Sequence, residues 1–258
     1  MRLRLRQSAG WMLLIGAAWT AFAVFSASQN YLSRAYAAKV EWKPALLYAL
    51  VDAYSPHAED AKGVPISALV FGGRRRELAP LVYEARDWKH GVLVGASVAS
   101  ETTAAATAKV GVVRRDPMAM LPFCGYNFGD YWAHWLNIGS KLKNPPRIYH
   151  VNWFRRDGQG KFLWPGYGEN LRVLAWMLDR CAGKAQANET AIGNLPRPQD
   201  LNLRGLNIGA SDLQALLSVD PALWRKEMTD IRAYLESYGS RVPADLLKQL
   251  DAVEARLG

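Results

Sequence analysis

The sequence predicts an α/β fold with a mixed sheet, flanking helices and a helical C-terminal portion. In the middle of the chain, short apolar runs bounded by glycine and charge alternate with helical patterns, and beyond about residue 220 helical patterns follow one another. The 258 residues suffice for one large domain, or for one domain with a smaller appendage.

Residues 1–55 are predicted to form a segment distinct from the rest of the chain. Three of the first six residues are basic, and an uncharged apolar run follows from Trp11 to Phe25. That length suits the hydrophobic region of an export signal and is short for a membrane span of about 20 residues. An export signal, a short membrane anchor and sequence outside the functional fold are three open interpretations.

The next part of the chain predicts two buried strands, ISALVFGG (66–73) and APLVYEA (79–85). The run WKHGVLVGASVAS (88–100) is compatible with a helix or a strand. The run ETTAAATAKVG (101–111) has no apolar face to bury, and it predicts a mobile loop or lid.

The second half of the chain predicts further elements. An aromatic helix ends at Gly139, and RIYHVNWF pairs with KFLW as a hairpin across RDGQG. A helix over 170–180 carries Leu171, Leu174 and Leu178 on one side, and another begins at Pro221 after an Asp220 cap and stops at Gly239. In PADLLKQLDAVEARL the core positions are Leu246, Leu247, Leu250, Val253 and Leu257.

The composition points to binding chemistry without a visible reaction centre. The formal charge of +9 favours an anionic partner, but no long basic tract with interleaved aromatics supports nucleic acid. The two cysteines and four histidines have no zinc-site spacing, so no metal ligands are predicted. The phosphate-binding patterns GxxxxGK[ST] and GxGxxG and the nucleophile pattern GxSxG do not occur in the sequence.

Three stretches carry the binding chemistry. The first, GGRRR at 72–76, turns sharply and presents guanidinium groups that suit phosphate or carboxylate. The second is the predicted lid. The third is HVNWFRRDGQGKFLWPGYGEN at 150–170, in which five aromatic residues precede Asn170. Aromatic faces stack on a base and an Asn side chain can read its edge, although a core hairpin is the simpler interpretation of that stretch alone.

Several long stretches occurring in order resemble the C-terminal part of GTP-dependent phosphoenolpyruvate carboxykinase over about residues 56–258. They are GVPISALVFGGRR, PLVYEARDWKHGVLVGASVASETTAAA, RRDPMAMLPFCGYNFGDYWAHWL, HVNWFRRDGQGKFLWPGYGEN and ETAIGNLPRPQDLNLRGL. The resemblance implies the family's nucleotide-binding fold. It also implies conversion of oxaloacetate and GTP to phosphoenolpyruvate, CO2 and GDP, with Mn²⁺ or Mg²⁺, by a cytoplasmic and usually monomeric enzyme of gluconeogenesis.

The same resemblance assigns site residues. The family's guanine pocket corresponds to Phe154, Phe162, Tyr167 and Asn170, with Tyr167 standing where the family usually has Phe. Arg74 corresponds to a residue that contacts the nucleotide phosphates. The family's lid corresponds to Ser100–Gly111, and its residues here include Ser100, Glu101, Thr102, Thr103, Ala104, Ala105, Ala106 and Lys109. Lid closure would shield an enolate intermediate from water.

The sequence also departs from the family pattern. The family's P-loop, with its Gly-Lys-Thr phosphate cradle, and its Lys, His and Asp metal ligands have no counterpart among these residues. We therefore expect a truncated or rearranged carboxykinase with negligible turnover by this chain alone. A non-catalytic module that binds GTP or GDP and a membrane-attached derivative are the alternatives.

Overall fold

The computed structural model describes residues 61–102 and 111–258. The chain divides into two units, Met1–Pro65 and Ile66–Gly258, and the fold below is that of the second unit. The predictions made for residues 1–55, and for the lid residues Thr103, Ala104, Ala105, Ala106 and Lys109, lie outside the described residues.

The described part contains a five-stranded mixed sheet, as the sequence predicts. Its strands in spatial order are β1 (Ala68–Gly72), β5 (Arg147–Val151), β2 (Val82–Glu84), β7 (Gly193–Leu195) and β6 (Asn188–Thr190). Strand β5 runs parallel to β1 and antiparallel to β2, and the remaining pairs are antiparallel. A separate hairpin joins β3 (Ala99–Glu101) to β4 (Val113–Arg115).

Helices flank the sheet and dominate the C-terminal portion, which confirms the predicted fold class. They are α1 (Trp88–Ala96), α2 (Phe128–Lys141), α3 (Asn170–Cys181), α4 (Ala210–Leu216), α5 (Pro221–Glu236) and α6 (Ala244–Leu257). Short 3-10 turns lie at Pro117–Ala119, Tyr167–Glu169, Pro198–Asp200 and Gly239–Arg241. The Asp220 carboxylate caps α5 by accepting from the backbone N–H groups of Ala222 and Leu223.

Alternation along the central strand divides the core between the two faces of the sheet. Ile148 packs in one cluster with residues of α1, α2, α5 and α6, whereas its neighbour Tyr149 packs in a second cluster with residues of α3 and α4. Helix α1 lies close to the sheet at Gly91, where an added Cβ would stand 2.3 Å from Ile148 Cδ1. Helices therefore cover both faces of strand β5, and the residues that follow it leave from a buried strand end.

Some local predictions are wrong in detail. Helix α2 continues past Gly139 to Lys141, and α5 ends at Glu236, before Gly239. The ambiguous run at 88–100 contains both α1 and the start of β3. Strand β1 lies at the edge of the sheet, so it is only partly buried.

Two patterns also differ from expectation in what they contact. The hydrophobic face of α3 that is buried comprises Val173, Trp176 and Met177, and the predicted leucines are exposed: Leu171, Leu174 and Leu178. Strand β5 pairs with β1 and β2, so the predicted hairpin is reduced to one bridge between Arg156 and Phe162 beyond the end of that strand. Within the described ranges, no helix combines the length and the apolar character that a bilayer crossing requires.

Candidate functional site

The first part of the site is the arginine loop, Gly73–Arg76, which follows β1. The loop lies against β3: the Arg74 N–H donates to Ser100 Oγ at 3.1 Å, and the Glu101 N–H donates to the Arg74 carbonyl at 2.8 Å. Gly73 is required by this close approach, because an added Cβ would stand 2.4 Å from the Ala99 carbonyl oxygen. The loop is therefore held by backbone bonds that leave the Arg74 guanidinium outside them.

A buried ion cluster holds the next residue of the loop. Both terminal nitrogens of Arg75 donate hydrogen bonds to the Glu227 carboxylate of α5, each at 2.7 Å. Arg115, at the end of β4, donates to the same carboxylate at 2.6 Å. Burial alone would raise the pKa of Glu227, but hydrogen bonding and charge from the two arginines outweigh it and lower that pKa. One carboxylate thus joins the arginine loop, the β3–β4 hairpin and the C-terminal helices.

The described ends of the predicted lid form a paired stem. Ser100 and Glu101 belong to β3, and Glu101 binds Arg76 through both the backbone N–H (2.7 Å) and the guanidinium (2.9 Å). Thr102 continues the pairing, since its N–H donates to the Val112 carbonyl at 2.8 Å. The two ends of Ser100–Gly111 are therefore fixed to each other and to the arginine loop.

A cleft of about 420 Å³ opens between the arginine loop, this stem and α5. Its walls carry basic residues and acidic residues in similar number: Arg75, Arg76, Lys226, Glu77, Glu101, Glu227 and Asp230. Because Arg75 and Arg76 already pair with Glu227 and Glu101, the described residues of this wall carry no excess of positive charge for phosphate.

The second part of the site is the aromatic cluster, Phe154 and Phe162. Their ring centroids are 6.2 Å apart at an interplanar angle of 71°, and their exposed fractions are 37% and 46%. The Arg156 guanidinium lies over the Phe162 ring, 4.1 Å from its centroid, and Arg74 lies 6.0 Å from the Phe154 centroid. The fold thus brings Arg74, Phe154 and Phe162 together from two separate stretches of sequence.

The other two residues of the predicted guanine pocket are Tyr167, which is exposed, and Asn170, which is hydrogen-bonded to a buried tryptophan. Tyr167 begins a 3-10 turn after Gly166, whose φ is 115°, and the residue is 82% exposed. Asn170 opens α3, and its Oδ1 accepts from Trp164 Nε1 at 2.9 Å. This bond occupies the carbonyl oxygen and leaves the amide N–H groups as the donors that Asn170 can offer to a ligand.

Two further buried residues, Trp164 and Asn152, shape the site. Trp164 is 2% exposed, as expected for a core residue, and it also orients Asn170. Asn152 is fully buried and hydrogen-bonds to the backbone of Arg75 and Phe154. An asparagine placed directly after a buried strand was the available signal.

A divalent cation would need several His, Cys, Asp or Glu side chains close together. Across 61–102 and 111–258, no three His, Cys, Asp or Glu side chains come together in a group that could hold a metal. These residues therefore do not fit the divalent cation that the family resemblance implies, and no metal ligand is assigned among them.

Residues 25–256 match the sequence profile of the phosphoenolpyruvate carboxykinase C-terminal P-loop domain. The chain belongs to this family. The match begins N-terminal to the boundary predicted between residues 55 and 56, and that boundary stays a prediction.

Curated relatives agree with this family. The chain is similar to the GTP-dependent phosphoenolpyruvate carboxykinase of Anaeromyxobacter dehalogenans (strain 2CP-C), at 52% identity over 205 residues, or 80% of this chain and 34% of that protein. The carboxykinases of Treponema pallidum (strain Nichols) and Neocallimastix frontalis are each 53% identical, over 77% and 76% of this chain and 33% of each protein. The chain thus spans about one third of the length of these carboxykinases.

Proposed function

We propose that this chain carries the guanine-nucleotide-binding part of a GTP-dependent phosphoenolpyruvate carboxykinase. In this proposal Phe154, Phe162 and Tyr167 contact the guanine ring, Asn170 donates to its edge, and Arg74 binds the phosphates. The observation that carries the proposal is the approach of Arg74 to within 6.0 Å of the Phe154 ring, because it places a cation beside an exposed aromatic surface.

The chemistry of each group supports its proposed role. The Phe154 and Phe162 rings are partly exposed, so a base can stack on them without displacing buried side chains. The amide N–H groups of Asn170 can donate to a carbonyl oxygen such as guanine O6, for which adenine offers no equivalent acceptor. Arg74 offers a planar fork that matches two phosphate oxygens.

The reaction proposed for the whole enzyme is that of the family: oxaloacetate and GTP give phosphoenolpyruvate, CO2 and GDP. We include in the proposal a cytoplasmic location, a role in gluconeogenesis and a lid function for Ser100–Gly111, all of which the family resemblance implies. In the family Mn²⁺ or Mg²⁺ would supply positive charge that stabilises the phosphates during transfer. Since the described residues provide no ligand set for that ion, we expect negligible turnover by this chain alone.

Nucleotide binding is tested by displacement of a fluorescent GDP analogue from the purified chain. We expect GTP and GDP to compete and ATP to compete more weakly. Phe162→Ala should weaken GDP binding by roughly 1–3 kcal/mol, because it removes a stacking face. Phe123→Ala is the matched control, since Phe123 is 74% exposed and lies outside the aromatic cluster. Equal competition by ATP, or an equal effect of both substitutions, would contradict the proposed pocket.

A turnover assay with GTP, Mn²⁺ and oxaloacetate then tests the expectation that this chain alone has negligible turnover. Binding without turnover supports a nucleotide-binding part that lacks the rest of the catalytic machinery, and it also fits a non-catalytic GTP- or GDP-binding module. Turnover at a rate typical of the family would overturn the expectation of an inactive chain. The alternative of a membrane-attached derivative concerns residues 1–55, and fractionation of cell membranes tests it.

A further inference from the structure

The side chain of Asn152 uses its complete hydrogen-bonding capacity on the backbone. Its Oδ1 accepts from the N–H groups of Arg75 and Phe154, both at 3.2 Å. Its Nδ2 donates to the carbonyls of Arg75 at 2.7 Å and Ala79 at 2.8 Å. With no exposed surface, Asn152 has no water to replace a lost partner, so each of these bonds constrains the backbone it reaches.

The segments joined by Asn152 are the two halves of the proposed nucleotide site. Arg75 directly follows Arg74, and Phe154 belongs to the aromatic cluster. Backbone bonds extend the same contact, because the Gly73 N–H donates to the Val151 carbonyl at 3.2 Å and the Arg156 N–H donates to the Arg76 carbonyl at 2.8 Å. The arginine loop therefore runs beside residues 151–156, and the Asn152 side chain bonds to the backbone of both segments.

We propose that Asn152 is a positioning residue that sets the distance between Phe154 and the arginine loop, and thereby couples recognition of the base to recognition of the phosphates. This proposal rests on the proposed function. A carboxamide suits the task because it combines two acceptor positions with two donors on one short side chain. An aspartate at this position would keep the acceptors and lose both donors.

The experiment measures guanosine and GDP binding to the full chain by competition with the fluorescent GDP analogue. Wild type should bind GDP more tightly than guanosine, because Arg74 contributes only where phosphate is present. Asn152→Asp should weaken GDP binding about tenfold, or ~1.4 kcal/mol, and guanosine binding less than about threefold. In the Arg74→Ala background, Asn152→Asp should add little further loss for GDP, since coupled residues are not additive.

Loss of stability alone would produce a different pattern. Leu250→Ala is the matched control, because Leu250 is fully buried in α6 and belongs to neither the arginine loop nor the aromatic cluster. It should lower the unfolding midpoint without changing the ratio of guanosine to GDP affinity. Asn152→Ser, which retains one donor and one acceptor, should give a ratio between those of wild type and Asn152→Asp.

Hydrogen exchange in the wild-type chain provides a readout that needs no variant to fold. Guanosine has no phosphate, yet its binding at Phe154 should slow exchange of the Arg75 amide together with that of Phe154, because both amides donate to Asn152. Protection of Phe154 without Arg75 would overturn the proposal.

The outcomes distinguish this proposal from the proposed function. If wild type binds neither guanosine nor GDP, the proposed function is overturned and the role of Asn152 with it. If wild type prefers GDP and Asn152→Asp keeps that preference, the nucleotide site stands and the positioning role is overturned. Selective loss of GDP binding with coupled amide protection supports both.

Discussion

The arginine loop and the aromatic cluster are held in opposite ways. In the loop, Arg75 pairs with Glu227, a residue that is 7% exposed. The backbone N–H groups of Gly73, Arg74 and Arg76, on either side of Arg75, donate further hydrogen bonds. The aromatic cluster has partly exposed rings that meet edge to face. Asn152 connects the two.

This difference matches the demands of the ligand that each region is proposed to bind. The backbone of the arginine loop is fixed by hydrogen bonds, so less backbone entropy is lost when the Arg74 guanidinium binds phosphate. Stacking on a flat base tolerates small displacements and needs exposed ring surface. A rigid loop beside an open cluster therefore suits a ligand with one charged end and one flat end. The following predictions test how far this difference in rigidity extends.

The largest expected effect is that of Glu227→Ala. This substitution leaves Arg75 and Arg115 buried without their carboxylate, so it should lower the free energy of unfolding by about 3–5 kcal/mol. Urea denaturation measures the change. Glu254→Ala is the control, because its pair with Arg232 lies at the surface and should contribute less than about 1 kcal/mol. Equal losses from the two substitutions would show that the arginine loop does not depend on its buried cluster.

The second effect concerns pH and His150, which lies behind the arginine loop. Burial lowers the pKa of His150 to about 4, and the charge of Arg75 acts in the same direction, opposed by Glu227. Because the unfolded chain binds a proton at a higher pH than the folded chain does, stability is lost as pH falls from about 6.5 towards 4. His150 should account for roughly 3 kcal/mol of this loss.

The measurement is urea denaturation of wild type and His150→Gln between pH 7 and pH 4. Buried His90 also has a pKa lowered to about 4, so the variant should keep the contribution of His90 and lose less stability than wild type over this range. His134→Gln serves as the control at an exposed position. An unchanged pH dependence in His150→Gln would mean that His150 does not titrate with folding.

The sequence predicted elements better than it predicted their partners. Periodicity located α6 and its buried positions Leu246, Leu250, Val253 and Leu257, because a helix facing one core needs only a local pattern. It also located α3 with Leu171, Leu174 and Leu178 on one side, but that side is exposed and Val173, Trp176 and Met177 are buried instead. A hydrophobic stripe shows that a face can be buried, whereas tertiary contacts decide which face is.

The candidate site shows the same limit. The motifs GGRRR and HVNWF are visible in the sequence, and the family resemblance assigns Arg74 and Phe154 to the site. Neither reveals that the two side chains lie next to each other. Glu227 lies 152 residues from Arg75, so no local spacing could reveal the pair. Asn152 was equally hidden, since its role depends on a loop 77 residues away. Long-range hydrogen bonds are properties of the fold and have no periodic signature.

The smallest expected effect is that of Arg156→Met, which removes the cation from the Phe162 ring. The contact at 4.1 Å lies on a partly exposed surface, so its loss should lower the free energy of unfolding by about 0.5–1 kcal/mol. Arg156→Lys is the control that keeps a positive charge over the ring, and urea denaturation compares the two. A loss as large as that from Glu227→Ala would contradict the distinction between the regions, because the aromatic cluster would then depend on one cation as strongly as the arginine loop depends on one carboxylate.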